Sequence, residues 1–255
     1  MELTESAFWD NYWANLALPV RVDASFSFDR CLANALRSHL RGVEGEALEI
    51  GCAPGKWLAF LADEFGVEPS GIEFSTVGGA ATLRNLELLG IKAGAIRSCD
   101  FFEAVPDRQF DLVISLGFIE HFTDVDDVVR RHLLWLKPGG LLVLGVPNFQ
   151  GINRWLQAVL DQSILDKHNL NIMSPRYLAG LAEKFPLTVK STEYIGSFEP
   201  SLPIAPAGWR VSPGVMLAKA AVRIAHFARR IRAFDRLNHP SFSSYLLAVY
   251  TKRTN

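Results

Sequence analysis

Gly51, Ala53 and Gly55 put three small residues at alternate positions between an apolar strand, Leu48-Glu49-Ile50, and an apolar helix from about Trp57 to Phe65. With so little side-chain bulk the backbone can approach a ligand closely, and the following helix points its N-terminus at the same place. Such a loop binds a small molecule through main chain. Glu73 lies 22 residues after Gly51, at the end of a second apolar run. An acid about 20 residues past the glycine turn of a doubly wound fold accepts hydrogen bonds from ribose hydroxyls. A carboxylate suits that task because it offers only acceptors to two adjacent donors. Phe74 follows, placed to pack against a base. Two histidines, His121 and His168, carry imidazoles that titrate near neutrality and suit a general base.

Several nucleotide-binding loops share this outline, and the letters separate them. The dinucleotide fingerprint needs a small residue five positions after its first glycine, where this chain has Lys56. A phosphate-binding loop needs Gly-Lys-Ser/Thr with a glycine five residues earlier. Here Gly55-Lys56 is followed by Trp57, and Ile50 stands five before Gly55. What remains is apolar–Glu–apolar–Gly–x–Ala–x–Gly, which resembles the first motif of the class I S-adenosylmethionine-dependent methyltransferases. The departure is Ala53, where that family most often has glycine. A second signature, Leu136-Lys137-Pro138-Gly139-Gly140-Leu141-Leu142, resembles the turn before the family's fifth strand. The resemblance is strong over about 47–147 and weak elsewhere.

The resemblance implies S-adenosyl-L-methionine as cofactor, held by Glu49, Gly51, Cys52, Ala53 and Gly55 in and beside the loop. It implies that Asp100 accepts from the adenine amino group and that Phe101 stacks on the ring. Leu116 and Gly117, followed by Glu120-His121, match the segment bordering the methionine half. His121 then falls near the transferred methyl group. His168 belongs to a segment similar to one in many small-molecule methyltransferases, where a His precedes a helix capped by Ser/Thr-Pro, here Ser174-Pro175. Plainer alternatives stand beside these roles: a strand–turn–helix corner without ligand, Glu73 as a solvated strand-end acid, Asp100 as a turn residue, and histidines that support or position. Glu120-His121 offers two metal-capable groups, but no further ligand spacing accompanies them, so no metal is expected.

The elements that must position these residues follow from periodicity. Phe8, Trp9, Tyr12 and Trp13 recur at helical spacing on one stripe, which either packs on the core or forms an aromatic lid over the cofactor. Residues 29–41 read as an amphipathic helix. Strands are expected at 46–50, 68–75, 93–98, 110–117 and 141–147, with helices at 57–65, 76–89 and 124–135, and a turn at 137–140. Residues 148–170 read as an irregular or helical insertion, 187–195 as a strand, 198–213 as a proline-rich loop, and 243–251 as a final strand. Alternating strands and helices through five strands require a parallel sheet with helices on both faces. The expected fold is α/β, a Rossmann-like seven-stranded, mostly parallel sheet, with a C-terminal helical and loop insertion over the active site. Residues 1–40 would be an N-terminal helical lid, 41–147 the cofactor-binding core, 148–240 the substrate-side insertions and 241–255 the last strand of a single domain.

Composition sets outer bounds. At 255 residues, 49% hydrophobic and 21% charged, the chain suits one globular α/β domain. The net charge of −1 argues against bulk nucleic-acid binding. Residues 205–255 hold nine Lys/Arg and one Asp, leaving −9 for the remainder. Within that stretch 214–237 reads as an amphipathic helix with Met216, Ala220, Ile224, Phe227, Ile231 and Phe234 on one side and Lys219, Arg223, Arg229, Arg230 and Arg232 on others. It would cover the active site, form a dimer face, touch an anionic membrane and serve a lipid-linked substrate, or contact nucleic acid. Monomer and homodimer are both open. Three cysteines without a C-x-x-C pair, an acidic N-terminus and no apolar run near 20 residues point to a cytoplasmic protein.

The expected function is methyl transfer to a small-molecule acceptor, at a hydroxyl of a specialised metabolite or sugar. Alternatives are small-molecule N-methylation, a cofactor-binding scaffold without transfer, and RNA 2′-O-methylation. The last arises because Cys52-Ala53-Pro54-Gly55-Lys56-Trp57 also resembles the loop of a heat-shock-type ribosomal RNA methyltransferase family. That family's catalytic Asp, just after the fourth strand, has no counterpart in Ser115-Leu116-Gly117.

Overall fold

The computed structural model describes residues 2–199, 202 and 235–254. Seven strands, β1 (Glu46–Ile50), β2 (Glu68–Glu73), β3 (Ile96–Ser98), β4 (Phe110–Leu116), β5 (Leu136–Pro147), β6 (Leu187–Ile195) and β7 (Tyr245–Lys252), join in one sheet of order β3-β2-β1-β4-β5-β7-β6. The first five are parallel, and β7 runs antiparallel to both β5 and β6. Strand order reverses between β1 and β4. That is where an open α/β sheet leaves a crevice at the carboxyl ends of its strands.

The central strands are apolar nearly throughout because both faces are covered. Leu48, Val113, Leu142, Leu144, Leu246 and Tyr250 face one layer, with α5 (Val125–Leu134) and α7 (Pro175–Lys184) upon it. Ala47, Leu112, Ile114, Val143, Leu247 and Val249 face the other, under α2 (Ser27–His39) and α3 (Lys56–Phe65). At about 25 cal/mol per Å² of apolar area, these two layers supply the main drive to fold. Three further helices are α1 (Ser6–Trp13), α4 (Thr76–Leu88) and α6 (Gly151–Asp166), the last kinked at Asp161.

Caps fix several starts. The Ser75 hydroxyl accepts from the Gly78 amide at 2.9 Å, Asp124 accepts from Asp127 N at 3.0 Å, and Ser174 accepts from Tyr177 N at 3.1 Å with Pro175 at the first helical position.

The structure departs from the sequence expectations in four places. The third strand begins only at Ile96, and no helix separates it from β4: residues 99–109 cross over as a turn, with Phe101 buried where a helix would have put its apolar face. Lys137–Gly140 bulges out of a continuous β5, since Phe110 pairs with Leu136 and Leu112 with Leu141. Within 1–40, α2 buries Leu32, Ala33 and Leu36 and is a core layer, leaving only α1 near the crevice. Within 148–240, β6 joins the sheet as the strand expected over 187–195, and α7 packs in a core layer, so this part of the range is not a covering insertion. The loop over 198–213 and the basic helix over 214–237 lie almost wholly outside the described residues. Among the described residues, no helix is long and apolar enough to cross a membrane.

Candidate active site

The chain turns after β1 because Gly51 adopts φ +73° and Gly55 φ +82°, both in the left-handed region that favours glycine. A Cβ on Gly51 would stand 2.9 Å from the Phe118 ring, so the loop and the segment after β4 touch only because Gly51 has no side chain. The Gly51 amide bonds to the Ile72 carbonyl at 2.8 Å, tying the loop to β2. Lys56 is drawn elsewhere, into a 2.7 Å ion pair with Asp29 of α2.

Glu73 ends β2 and anchors both neighbouring backbones. Its Oε2 accepts from Ala53 N at 3.0 Å and its Oε1 from Ser75 N at 3.0 Å. Each oxygen keeps a further lone pair for a ligand hydroxyl. Burial pushes the Glu73 carboxyl above its ordinary range, opposed by these amide bonds. Glu49, fully buried behind the loop, is raised well above it for the same reason, with Glu73's charge adding to the effect.

Helix α1 lies across this crevice. The Asp10 carboxylate accepts from the Ser75 hydroxyl at 2.5 Å, beside the N-terminus of α4 where a negative charge is favoured. Leu3 N donates to the His121 carbonyl at 2.7 Å, and the Trp9 ring meets the His121 ring edge-on at 5.2 Å. Trp9 and Trp13 stack at 6.5 Å, and Tyr12 meets Trp13 edge-on at 4.7 Å. The buried Trp13 indole N–H has no hydrogen-bond partner among the described residues.

Between α1 and the strand tips is a cavity of about 200 Å³. Trp9, Tyr12, Trp13, Phe74, Phe118 and Phe122 supply its aromatic walls, and Glu2 and Glu73 its carboxyls; among the described residues no Lys or Arg lines it. Glu2 is pushed up to about 7 by burial and by nearby Asp100.

Of the residues expected from sequence, Gly51, Ala53, Glu73, Phe74, Leu116, Gly117 and His121 line this cavity together. Others lie close but do not face it. Cys52 is buried, packed under the loop against Gly71. Gly55 caps α3 and abuts Thr82. Asp100 accepts from Phe102 N at 2.8 Å, a turn role. Phe101 is buried in the core, edge-on to Phe118 at 5.6 Å and to His132 at 5.0 Å. Sequence reasoning missed Glu2, Thr4, Phe118 and Phe122. Glu2 and Phe122 meet as an isolated antiparallel bridge, a pairing that no local pattern signals. The aromatic stripe of α1 was the one available clue to the lid. That helix buries no residue of its own and its rings line the cavity, which favours the lid over core packing.

His121 and His168 come together, ring centroids 4.7 Å apart. Burial lowers both, His121 to about 3. His168 lines a second, broad and open cavity of about 950 Å³ with Gln150, Arg154, Asn169, Asn171 and Tyr194. The imidazole pair thus stands between two cavities. No sequence spacing marked a third ligand-capable residue for Glu120-His121; folding brings His168 beside them.

A family model described as a methyltransferase domain matches residues 26–192. The chain belongs to the methyltransferase domain family. This methyltransferase-domain protein is 33% identical over 104 residues to a ubiquinone biosynthesis O-methyltransferase of Bradyrhizobium sp. (strain ORS 278), covering 40% of the chain and 39% of that protein. It is 30% identical over 102 residues to phosphoethanolamine N-methyltransferase 3 of Arabidopsis thaliana, covering 39% of the chain and 20% of the relative. The matches therefore span well under half of these relatives' length. Among solved structures, the N-methyltransferase NodS from Bradyrhizobium japonicum WM9, in complex with S-adenosyl-L-homocysteine, shares the fold with a TM-score of 0.60 at 16% identity, over 98% of this chain and 100% of that one. The class I family resemblance and the Rossmann-like fold expected from the sequence both stand.

Proposed function

We propose that this methyltransferase-domain protein binds S-adenosyl-L-methionine in the cavity under α1 and transfers its methyl group to an oxygen of a small-molecule acceptor. The composition of the cavity wall carries the reading. Six aromatic rings and two carboxyls, with no described Lys or Arg, repel a phosphate-bearing nucleotide and suit a sulfonium cation joined to adenosine. Glu73 at the rim supports the ribose, with Phe74 beside it for the adenine.

The acceptor enters from the open cavity and meets the cofactor at His121 and His168. Both imidazoles are neutral at pH 7, since burial lowers their proton affinity, and a neutral imidazole accepts a hydrogen bond from a hydroxyl. When bound, the cofactor would supply an electrophilic methyl group; His121 and His168 would hold the acceptor hydroxyl in line with it and take the hydroxyl proton on an imidazole nitrogen. The low proton affinity of His121 makes it a brief proton holder, so most of the rate comes from orientation, which can supply up to about 7–11 kcal/mol. The relatives are named for both O- and N-methylation, and the imidazole pair favours oxygen. None of the three cysteines is in a disulfide, which suits a reducing compartment.

Calorimetry with S-adenosylmethionine and S-adenosylhomocysteine, then radiolabelled methyl transfer to panels of phenols, sugars, amines and RNA, tests the reading. Binding with label on a hydroxyl compound supports it. Absence of heat with both nucleotides, or label only on amines or RNA, rejects it.

A further inference from the structure

Glu120, His121 and His168 present one ligand-capable atom each, all within 4.8 Å of one another. His121 Nδ1 lies 2.9 Å from the Lys167 carbonyl and His168 Nδ1 lies 2.6 Å from the Ile164 carbonyl. A carbonyl only accepts, so both rings carry their proton on Nδ1, and each Nε2 presents a bare lone pair. A metal-binding histidine is held in this way, its second nitrogen donating to a backbone carbonyl or carboxylate. The Glu120 carboxyl is 1% exposed; its Oε1 is 3.9 Å from His121 Nε2 and its Oε2 has no hydrogen-bond partner among the described residues. A buried carboxyl oxygen without a partner is costly unless something is bound there.

The backbone around the cluster is tied. Asn169 N donates to the Glu120 carbonyl at 2.6 Å and Asn169 Nδ2 to the Phe122 carbonyl at 3.1 Å. These bonds fasten the segment bearing His168 to the segment bearing Glu120 and His121, 47 residues apart between the two histidines. Lys167, whose charge opposes a cation, is held over the Phe8 ring at 4.3 Å.

We propose that Glu120, His121 and His168 form a binding site for one divalent first-row transition ion at the junction of the two cavities. Two imidazoles and one carboxylate suit zinc or iron(II) and disfavour magnesium or calcium, which prefer all-oxygen sets. Metal–nitrogen distances of about 2.0–2.1 Å bring ligand atoms to roughly 3.3 Å from one another, so the widest pair closes by about 1.5 Å on binding. Three protein ligands leave positions open for an acceptor oxygen. Metal binding does not depend on the proposed reaction. An ion on the two Nε2 atoms occupies the nitrogens that would otherwise take the acceptor proton, so in the loaded protein the ion would instead lower the proton affinity of the acceptor oxygen. Only that last use of the ion rests on the proposed reaction.

The test uses full-length protein stripped of metal and titrated with Co²⁺, followed by its visible d–d bands, and with Zn²⁺ by calorimetry. The expected result is one ion per chain, with affinity reduced at least about 10- to 100-fold in both Glu120→Gln and His168→Asn and unchanged in His239→Asn. His168 is partly exposed, so His168→Asn keeps the test decisive even where Glu120→Gln does not fold. Absence of d–d bands and heat in the wild type overturns the proposal, as does equal affinity in the His168→Asn protein. S-adenosylhomocysteine binding measured on the same protein separates the two readings. Metal binding without nucleotide binding sinks only the proposed function, and nucleotide binding without metal sinks only this site.

Discussion

The Glu73 carboxylate lies 3.0 Å from the Ala53 amide, so the tip of β2 holds the loop after β1 in place before any ligand arrives. The same side chain therefore shapes the site and lines it. On the proposed reading, loop geometry and ribose recognition would be coupled through one residue.

Glu73→Ala strands two amides, Ala53 N and Ser75 N, that now bond to the carboxylate. Each stranded donor costs about 1–3 kcal/mol where water cannot replace the acceptor. The expected outcome is a fall in thermal midpoint together with at least a tenfold loss of S-adenosylhomocysteine affinity by calorimetry. Unchanged affinity would remove Glu73 from the site.

Gly51→Val forces a β-branched residue to φ +73° and drives its Cβ to 2.9 Å from Phe118. The left-handed conformation alone costs roughly 1–2 kcal/mol for a residue with a Cβ. Nucleotide binding should disappear while circular dichroism still reports the α/β fold. A variant that binds normally would show that the loop is not the cofactor cradle.

Trp13→Ala opens the lid and removes the unpartnered indole N–H. Affinity for the nucleotide should weaken roughly tenfold, with a small change in stability because α1 buries no residue. Trp13→Phe should recover part of the loss. Equal affinity in all three proteins would make α1 a bystander.

His121→Ala should leave nucleotide affinity nearly intact and lower kcat by about 10²–10⁴-fold, the range for losing a group that handles the acceptor proton. An unchanged turnover with the preferred acceptor excludes His121 from proton handling.

His132 is fully buried between Val128 O at 2.8 Å and Ser115 Oγ at 3.1 Å, and burial lowers it to about 4. Its unfolded value is near 6.5, so the unfolded chain binds the extra proton between those two values. Stability from this residue is fully present above pH 6.5 and is lost as pH falls toward 4, with a ceiling of roughly 3 kcal/mol. Denaturant melts across pH 4–7 should show that slope, and His132→Gln should reduce it, with His121 and His168, also lowered by burial, supplying the remainder. An identical slope in the variant would place the acid sensitivity elsewhere.

Much of the framework was legible in the residues. The glycine loop, the acid ending β2 and the apolar run of β4 are local patterns, each fixed within a dozen residues, and each lies where it was expected, whereas the expected 137–140 turn is a bulge inside β5. Phe101 and Cys52 show the limit. Sequence places both at a strand tip or loop, but which way such a side chain turns depends on what packs above it, and both turn into the core.

By itself the sequence determined the sheet, its switch point and the half of the site made of main chain, because hydrophobic period and glycine positions act through neighbours along the chain. Only the tertiary structure decided that α1 closes the crevice, that Glu2 and Phe122 face it, and that His168 stands beside His121. The two pairings join residues 47 and 120 apart, and they are set by how layers pack on the two faces of the sheet.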